Sequence, residues 1–279
     1  WKPVIGLKNP AVQRVLILLW PRVLTMASIQ AYFVARDSLA SRFGEAGIGA
    51  LNLGWTIQQV PETIIGTSIA ITLLPTLAEF INRGQADSFK STINRALRVM
   101  LALSLPGAAL LAVGIRPLVE GFFGFEPAKL NLVTWCTWAF LSGLLGDVWL
   151  ETAVRSFYAN QNTRTPMVAA IIQAILFVLL AWLLSSRIGL PGIPIAAAIT
   201  FTFQAIVLLS IQNHSFPGLL SMDGTLVRSV LGAITGGLVA FVVNQYLPLP
   251  AIAAATVAIV VGAGSVLPFI WKEIRLLAQ

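Results

Sequence analysis

Asp147, Glu151 and Arg155 are spaced four residues apart in one otherwise apolar stretch. On an ideal helix, positions i, i+4 and i+8 fall within an arc of roughly 80° and a rise of about 12 Å, so the three form one polar stripe. Ionisable groups are costly in lipid, which places such a stripe toward a bundle interior or water; the plainer reading is a Glu151 to Arg155 pair anchoring the helix at its cytoplasmic end. A second cluster, Gln58, Gln59, Pro61 and Glu62, precedes the run Leu73-Leu74-Pro75-Thr76-Leu77. Proline leaves carbonyls unpaired, to be satisfied by nearby polar side chains or water. The cluster therefore either lines a wet cavity or marks a kinked packing helix with Glu62 near the outer interface. Arg22, just after Pro21, sits about 16 Å into a stretch that begins near Ala11, close to the middle of a hydrocarbon layer about 30 Å thick. It points into a cavity and grips an anion in bidentate fashion, reaches the cytoplasmic interface if the helix starts later, or pairs with Glu62, Asp147 or Glu151.

Other chemistry has little to work with. Cys136 and His214 are single residues of their types, which leaves no internal disulfide and no histidine cluster for a metal. No nucleophile elbow or phosphate-cradling loop is present. The expectation is a protein that is not an enzyme, with no catalytic residue, no cofactor and no metal site.

The elements that must position these residues follow from composition. The 279 residues are 57% hydrophobic and 10% charged, with mean hydropathy +0.85, whereas a soluble domain is about 45–50% apolar and about 25% charged. A globule could not hide that much apolar surface. A spanning helix takes about 20 residues, and eight apolar stretches can be marked: Ala11 to Ala35 or on to Phe43, Leu51 to Leu74, Leu97 to Ile115, Leu132 to Tyr158, Met167 to Leu184, Ile193 to Ile211, Val227 to Leu247 and Ile252 to Trp271. A barrel would alternate polar and apolar residues, so the fold class is all-α, a polytopic bundle of about eight transmembrane helices.

The net charge of +7 is read as loop charge, with no nucleic-acid partner. Lys2, Lys8, Arg14, Arg83, Lys90, Arg95, Arg98, Arg155, Arg164, Arg228, Lys272 and Arg275 flank one side, twelve against five on the other: Arg36, Arg42, Arg116, Lys129 and Arg187. The richer side is cytoplasmic, which puts both ends inside. Glu79 to Arg95 reads as a helix-turn-helix joint, with Gly84 as a stop and Asp87 as N-cap of the next helix. Asn213 to Gly224, with Pro217, Gly218, Asp223 and Gly224, is a breaker-rich linker. It divides the chain into a six-helix lobe, 1–212, and a two-helix extension, 213–279. Gly232 and Gly236 form a GxxxG packing face. Trp135, Trp138 and Trp149 read as lipid-facing or interfacial aromatics.

With these motifs placed, the sequence resembles the MurJ/MviN family of lipid II flippases, in the superfamily of multidrug and polysaccharide exporters. The resemblance rests on Asn9-Pro10-Ala11-Val12-Gln13-Arg14-Val15-Leu16 with Pro21 beyond it, on Leu73-Leu74-Pro75-Thr76-Leu77, on Gly84 to Arg98, and above all on Arg155-Ser156-Phe157-Tyr158-Ala159 followed by Asn162-Thr163-Arg164-Thr165-Pro166. It implies the second six-helix lobe plus a final helix pair forming a groove for a lipid tail. The partners it implies are a lipid-linked glycan substrate, membrane lipids and a missing N-terminal six-helix lobe. A start at Trp1 rather than Met fits a piece of a longer protein. The implied location is the bacterial inner membrane, crossed several times. A related polysaccharide or drug exporter and a non-transporting scaffold for cell-envelope enzymes are the alternatives. The sequence departs from the family where an Ala-Asp-Arg run is usual, reading Gly54-Trp55-Thr56, and carries Glu151 where many members have Lys. The resemblance also implies a cation site, for which Asp37 and Gln173 are the nearest candidates; Phe177, at the other family position, cannot ligate.

Overall fold

The computed structural model describes residues 10–222 and 224–277. Lys2, Lys8, Asn9 and Asp223, part of the sequence argument, lie outside the described residues. The chain forms α1 (Pro10–Ala40), a 3-10 turn (Ser41–Phe43), α2 (Gly44–Glu62), a π-turn (Thr63–Thr67), α3 (Ser68–Asn82), α4 (Ala86–Phe123), α5 (Pro127–Ser142), α6 (Leu144–Ala159), α7 (Arg164–Ile188), α8 (Gly192–Ser215), α9 (Thr225–Tyr246) and α10 (Ala251–Leu277). No strand occurs among the described residues.

Six continuous helical stretches are long and apolar enough to cross a membrane, the first running 64 residues from Leu19 to Asn82. Straight, it would measure about 96 Å, far more than one bilayer. It folds back at the 3-10 turn, where Gly44 takes the left-handed φ of +74° that favours glycine. Arg36 then meets Asn52 and Phe33 meets Trp55; the residue numbers of each pair add to one value, the mark of an antiparallel hairpin. The stretch expected from Leu132 to Tyr158 is broken at Gly143 into α5 and α6. The two still act as one pass against α4: Trp138 Nε1 donates to Ala112 O at 2.7 Å, and Trp149 Nε1 to Leu97 O at 3.1 Å. Eight passes result, as expected. Trp149 is thus a half-buried packing residue rather than a lipid-facing one, because its indole N–H satisfies a carbonyl of α4.

Local signals decide the joints. Gly84 ends α3 with φ +67°, and Gln85 N–H donates to Phe80 O at 2.9 Å, closing the carbonyls that a helix end leaves open. The N-cap of α4 is Gln85, not Asp87. Asp87 lies within the first turn and pairs with Lys90 at 3.3 Å, since the helix begins earlier than its sequence cue.

The last two helices cross where glycines permit. A Cβ on Gly232 would lie 3.3 Å from Phe269 Cβ, and one on Gly262 would lie 2.8 Å from Gly236 O, so α9 and α10 pack backbone against backbone as the GxxxG spacing requires. Both rest on α4, and a buried polar knot ties the three together. Glu273 of α10 is 1% exposed; it is ion-paired with Arg98 at 3.6 Å and with Arg228, and accepts the Thr225 hydroxyl at 3.0 Å. The lipid-directed faces stay apolar and exposed, for example Trp182, Leu183, Leu238 and Phe241. In water such surface would aggregate; the protein is a multi-pass helical membrane protein.

Candidate cavity site

Small residues aim the polar stripe. A Cβ on Gly143 would lie 2.6 Å from Ala198 Cα, and one on Gly146 2.6 Å from Thr202 Cα, so α6 lies directly on α8. That contact turns Asp147, Glu151 and Arg155 toward α2. There Gln58 Nε2 donates to Asp147 Oδ2 at 2.7 Å, and Glu151 pairs with Arg155 on its own helix.

Two adjoining cavities result. One, of about 520 Å³, is lined by Arg22, Thr25, Tyr32, Trp55, Glu151, Arg155, Tyr158, Gln173 and Gln204 among others. The second, of about 330 Å³, is lined by Gln58, Gln59, Glu62, Thr63, Thr67, Asp147 and Glu151. Trp55, Leu150, Glu151 and Phe201 belong to both walls. Of the residues singled out from sequence, Arg22, Gln58, Gln59, Glu62, Asp147, Glu151, Arg155 and Gln173 lie on these walls, contributed by four helices far apart in sequence.

The charges divide unevenly. Arg155 is engaged by Glu151, whereas Arg22 has no carboxylate within 4.0 Å among the described residues. Its guanidinium lies 5.1 Å from the ring centroid of Tyr158, an attraction of about 0.5–1 kcal/mol at exposed sites, so its positive charge stays available to an anion. At the other end, Glu62 accepts the hydroxyls of Thr67 at 3.1 Å and Thr63 at 3.3 Å. Those threonines belong to the π-turn, which also has Ser68 Oγ donating to Thr63 O at 3.0 Å. Such single-turn widenings recur at functional sites; this one follows Pro61, which has no N–H to donate.

Asp37 and Gln173 are not brought together. Asp37 is held by Arg36 at 3.0 Å, and that arginine also donates to Asn52 at 2.5 Å and stacks on Phe33. Gln173 donates to Thr200 at 3.2 Å. The helices α1 and α7 run in parallel with Tyr32 against Phe177, 4.4 Å between centroids. Asp37 lies five residues beyond one ring and Gln173 four residues before the other, which separates them by about 13 Å along the axes. Phe177 is fully buried. Thr56 is exposed, its hydroxyl donated to Asn52 O, and it lines neither cavity, while its neighbour Trp55 packs among Tyr32, Phe33 and Phe140.

Sequence reasoning missed the Tyr158 platform under Arg22, though Tyr158 lies inside the most specific motif. It also missed the Arg98, Thr225, Arg228 and Glu273 knot, whose members come from three helices.

Comparison with known proteins adds a family. The profile described as lipid II flippase MurJ matches residues 1–262. The probable lipid II flippase MurJ of Rhizobium meliloti (strain 1021) is 29% identical over 205 residues, which are 72% of this chain and 38% of that protein. The one of Bdellovibrio bacteriovorus is 26% identical over 232 residues, 82% of this chain and 44% of that protein. The matched stretches are thus less than half the length of these relatives. A solved structure of lipid II flippase MurJ in an inward closed conformation superposes with a TM-score of 0.77 at 20% identity, covering all of this chain and 57% of that one. An outward-facing MATE family transporter of the MOP superfamily gives 0.66 at 13% identity, covering 99% and 71%. These two likenesses are of fold.

Proposed function

Since the chain belongs to the family described as lipid II flippase MurJ, we propose that it supplies one lobe, with two further helices, of a bacterial inner-membrane flippase. The cargo is a lipid-linked oligosaccharide, the peptidoglycan precursor lipid II. The observation that carries this reading is Arg22, a guanidinium on the wall of a cavity of about 520 Å³, with no carboxylate in reach among the described residues. A pyrophosphate linking sugar to lipid is the kind of anion that a guanidinium grips through two parallel N–H bonds. Trp55, Tyr158 and the amides of Gln173 and Gln204 offer flat apolar faces and hydrogen bonds to a sugar head group in the same space.

No bond is made or broken in this process. Transport is alternating access, in which two bodies rock about a central site. This lobe provides one wall, and the complementary six-helix lobe provides the other. The apolar outer faces of α9 and α10, with Leu231, Ile234 and Phe241 exposed on the first and Val260 and Leu267 on the second, suit the lipid tail. The excess of basic residues on one side supports cytoplasmic ends.

The test is reconstitution. Liposomes holding this chain together with the complementary lobe should flip fluorescent lipid II, and liposomes holding this chain alone should not. Failure of the pair, with both halves inserted and associated, would overturn the proposal. So would flipping by the chain alone.

A further inference from the structure

The smaller cavity contains an imbalance of charge. The charged groups lining the two adjoining cavities are Arg22 from α1, Glu62 from α2, and Asp147, Glu151 and Arg155 from α6; α3, α7 and α8 contribute none. Arg155 is committed to Glu151. Among the described residues no Lys, Arg or His lies within 4.0 Å of Asp147 or Glu62. Two carboxylates in the wall of one membrane-embedded cavity thus have no cation within ion-pairing distance, a condition that low-dielectric surroundings penalise heavily.

An independent feature points to what completes the site. Gln58 is 1% exposed and lines the same cavity. Its amide nitrogen is used on Asp147, while its carbonyl oxygen Oε1 is buried with no hydrogen-bond donor. A buried acceptor without a partner is satisfied by a hydrogen-bond donor, such as a protonated carboxyl, or by a cation. The same cavity wall carries further oxygen groups: the carboxylates of Asp147 and Glu62 and the hydroxyls of Thr63 and Thr67. Oxygen donors suit hard cations. The set contains two carboxylates beside neutral oxygens and neither nitrogen nor sulfur, which suits a small hard cation such as sodium, or a proton held by one of the carboxylates.

We propose that Gln58, Glu62 and Asp147 form a binding site for a small monovalent cation, sodium or a proton. The site differs from the Asp37 and Gln173 pair that the family resemblance suggested, since Asp37 already has Arg36. Glu62 holds the Thr67 hydroxyl across the π-turn, so the cation's arrival changes the charge on a residue that braces the joint between α2 and α3. Coupling of this cation to transport rests on the flippase reading; its binding does not, so the two can fail separately.

Equilibrium binding of radioactive sodium to the purified full chain, alongside infrared spectroscopy of carboxyl groups at neutral pH, tests the site. If the ion is sodium, binding is saturable, lost in Asp147→Asn, weakened at least about tenfold in Glu62→Gln and unchanged in Asp37→Asn. If it is a proton, sodium does not bind, and a protonated-carboxyl stretch is present that disappears in Asp147→Asn or Glu62→Gln. Circular dichroism and size exclusion establish that the variants fold. Absence of both sodium binding and the protonated-carboxyl band in the wild-type chain overturns the proposal, and so does persistence of either signal in a folded variant carrying Glu62→Gln and Asp147→Asn together. If the variants do not fold, the wild-type result decides alone.

Discussion

Removing the Glu273 carboxylate tests how the last two helices are attached. Its side chain is 1% exposed and faces two guanidinium groups, with Arg98 at 10% and Arg228 at 32% exposure. Glu273→Ala leaves one buried and one half-buried cation facing each other across α4 and α9, and the Thr225 hydroxyl loses its acceptor. Breaking a buried pair by deleting one partner costs about 3–5 kcal/mol. Arg228 can reach water, so the lower end, about 3 kcal/mol, is the better figure. At about 2–4 °C per kcal/mol for a chain somewhat below this size, the melting temperature in detergent should fall by about 6–12 °C. Because the knot joins α9 and α10 to α4, proteolysis in the 216–224 linker should accelerate as well. A Glu273→Ala variant melting within a degree of wild type would refute this account.

Arg22→Ala and Arg22→Lys should each slow flipping by about 10- to 100-fold, from the loss of charge-assisted hydrogen bonds of about 1.5–3 kcal/mol, at unchanged expression and insertion. Adding Thr56→Arg should not restore the rate, because that position lines neither cavity; normal flipping by Arg22→Ala ends the argument. Gly146→Leu should force α6 away from α8 and lower stability by about 1–3 kcal/mol, measured as melting temperature. Gly264→Ala, where a Cβ meets nothing within 4 Å, is the control expected not to lower it, since alanine suits a helix interior better than glycine. Cysteines placed at Gln85 and Lys129 should label from opposite sides of sealed cells, with no background from Cys136, which is buried; labelling of both from outside contradicts cytoplasmic ends.

Eight passes could be read in the sequence because hydropathy is a property of contiguous residues, and a stretch of about 20 apolar side chains has one solution in lipid. The stop at Gly84 and the crossing glycines Gly232 and Gly236 were legible for the same reason: each acts through its own backbone or its own helix face. The spacing of Asp147, Glu151 and Arg155 likewise contained their common face. It did not contain what that face meets. The hydrogen bond between Gln58 and Asp147 joins residues 89 positions apart, the knot around Glu273 spans α4, α9 and α10, and the break at Gly143 shows its purpose only where α8 comes against it. The separation of Asp37 from Gln173 depended on α1 and α7 lying in parallel at one register, which neither helix's own pattern specifies. Charge pairing in lipid is set by which helices become neighbours. Sequence therefore named the groups that had to be hidden, and only packing chose which of them would neutralise one another and which would face an open cavity.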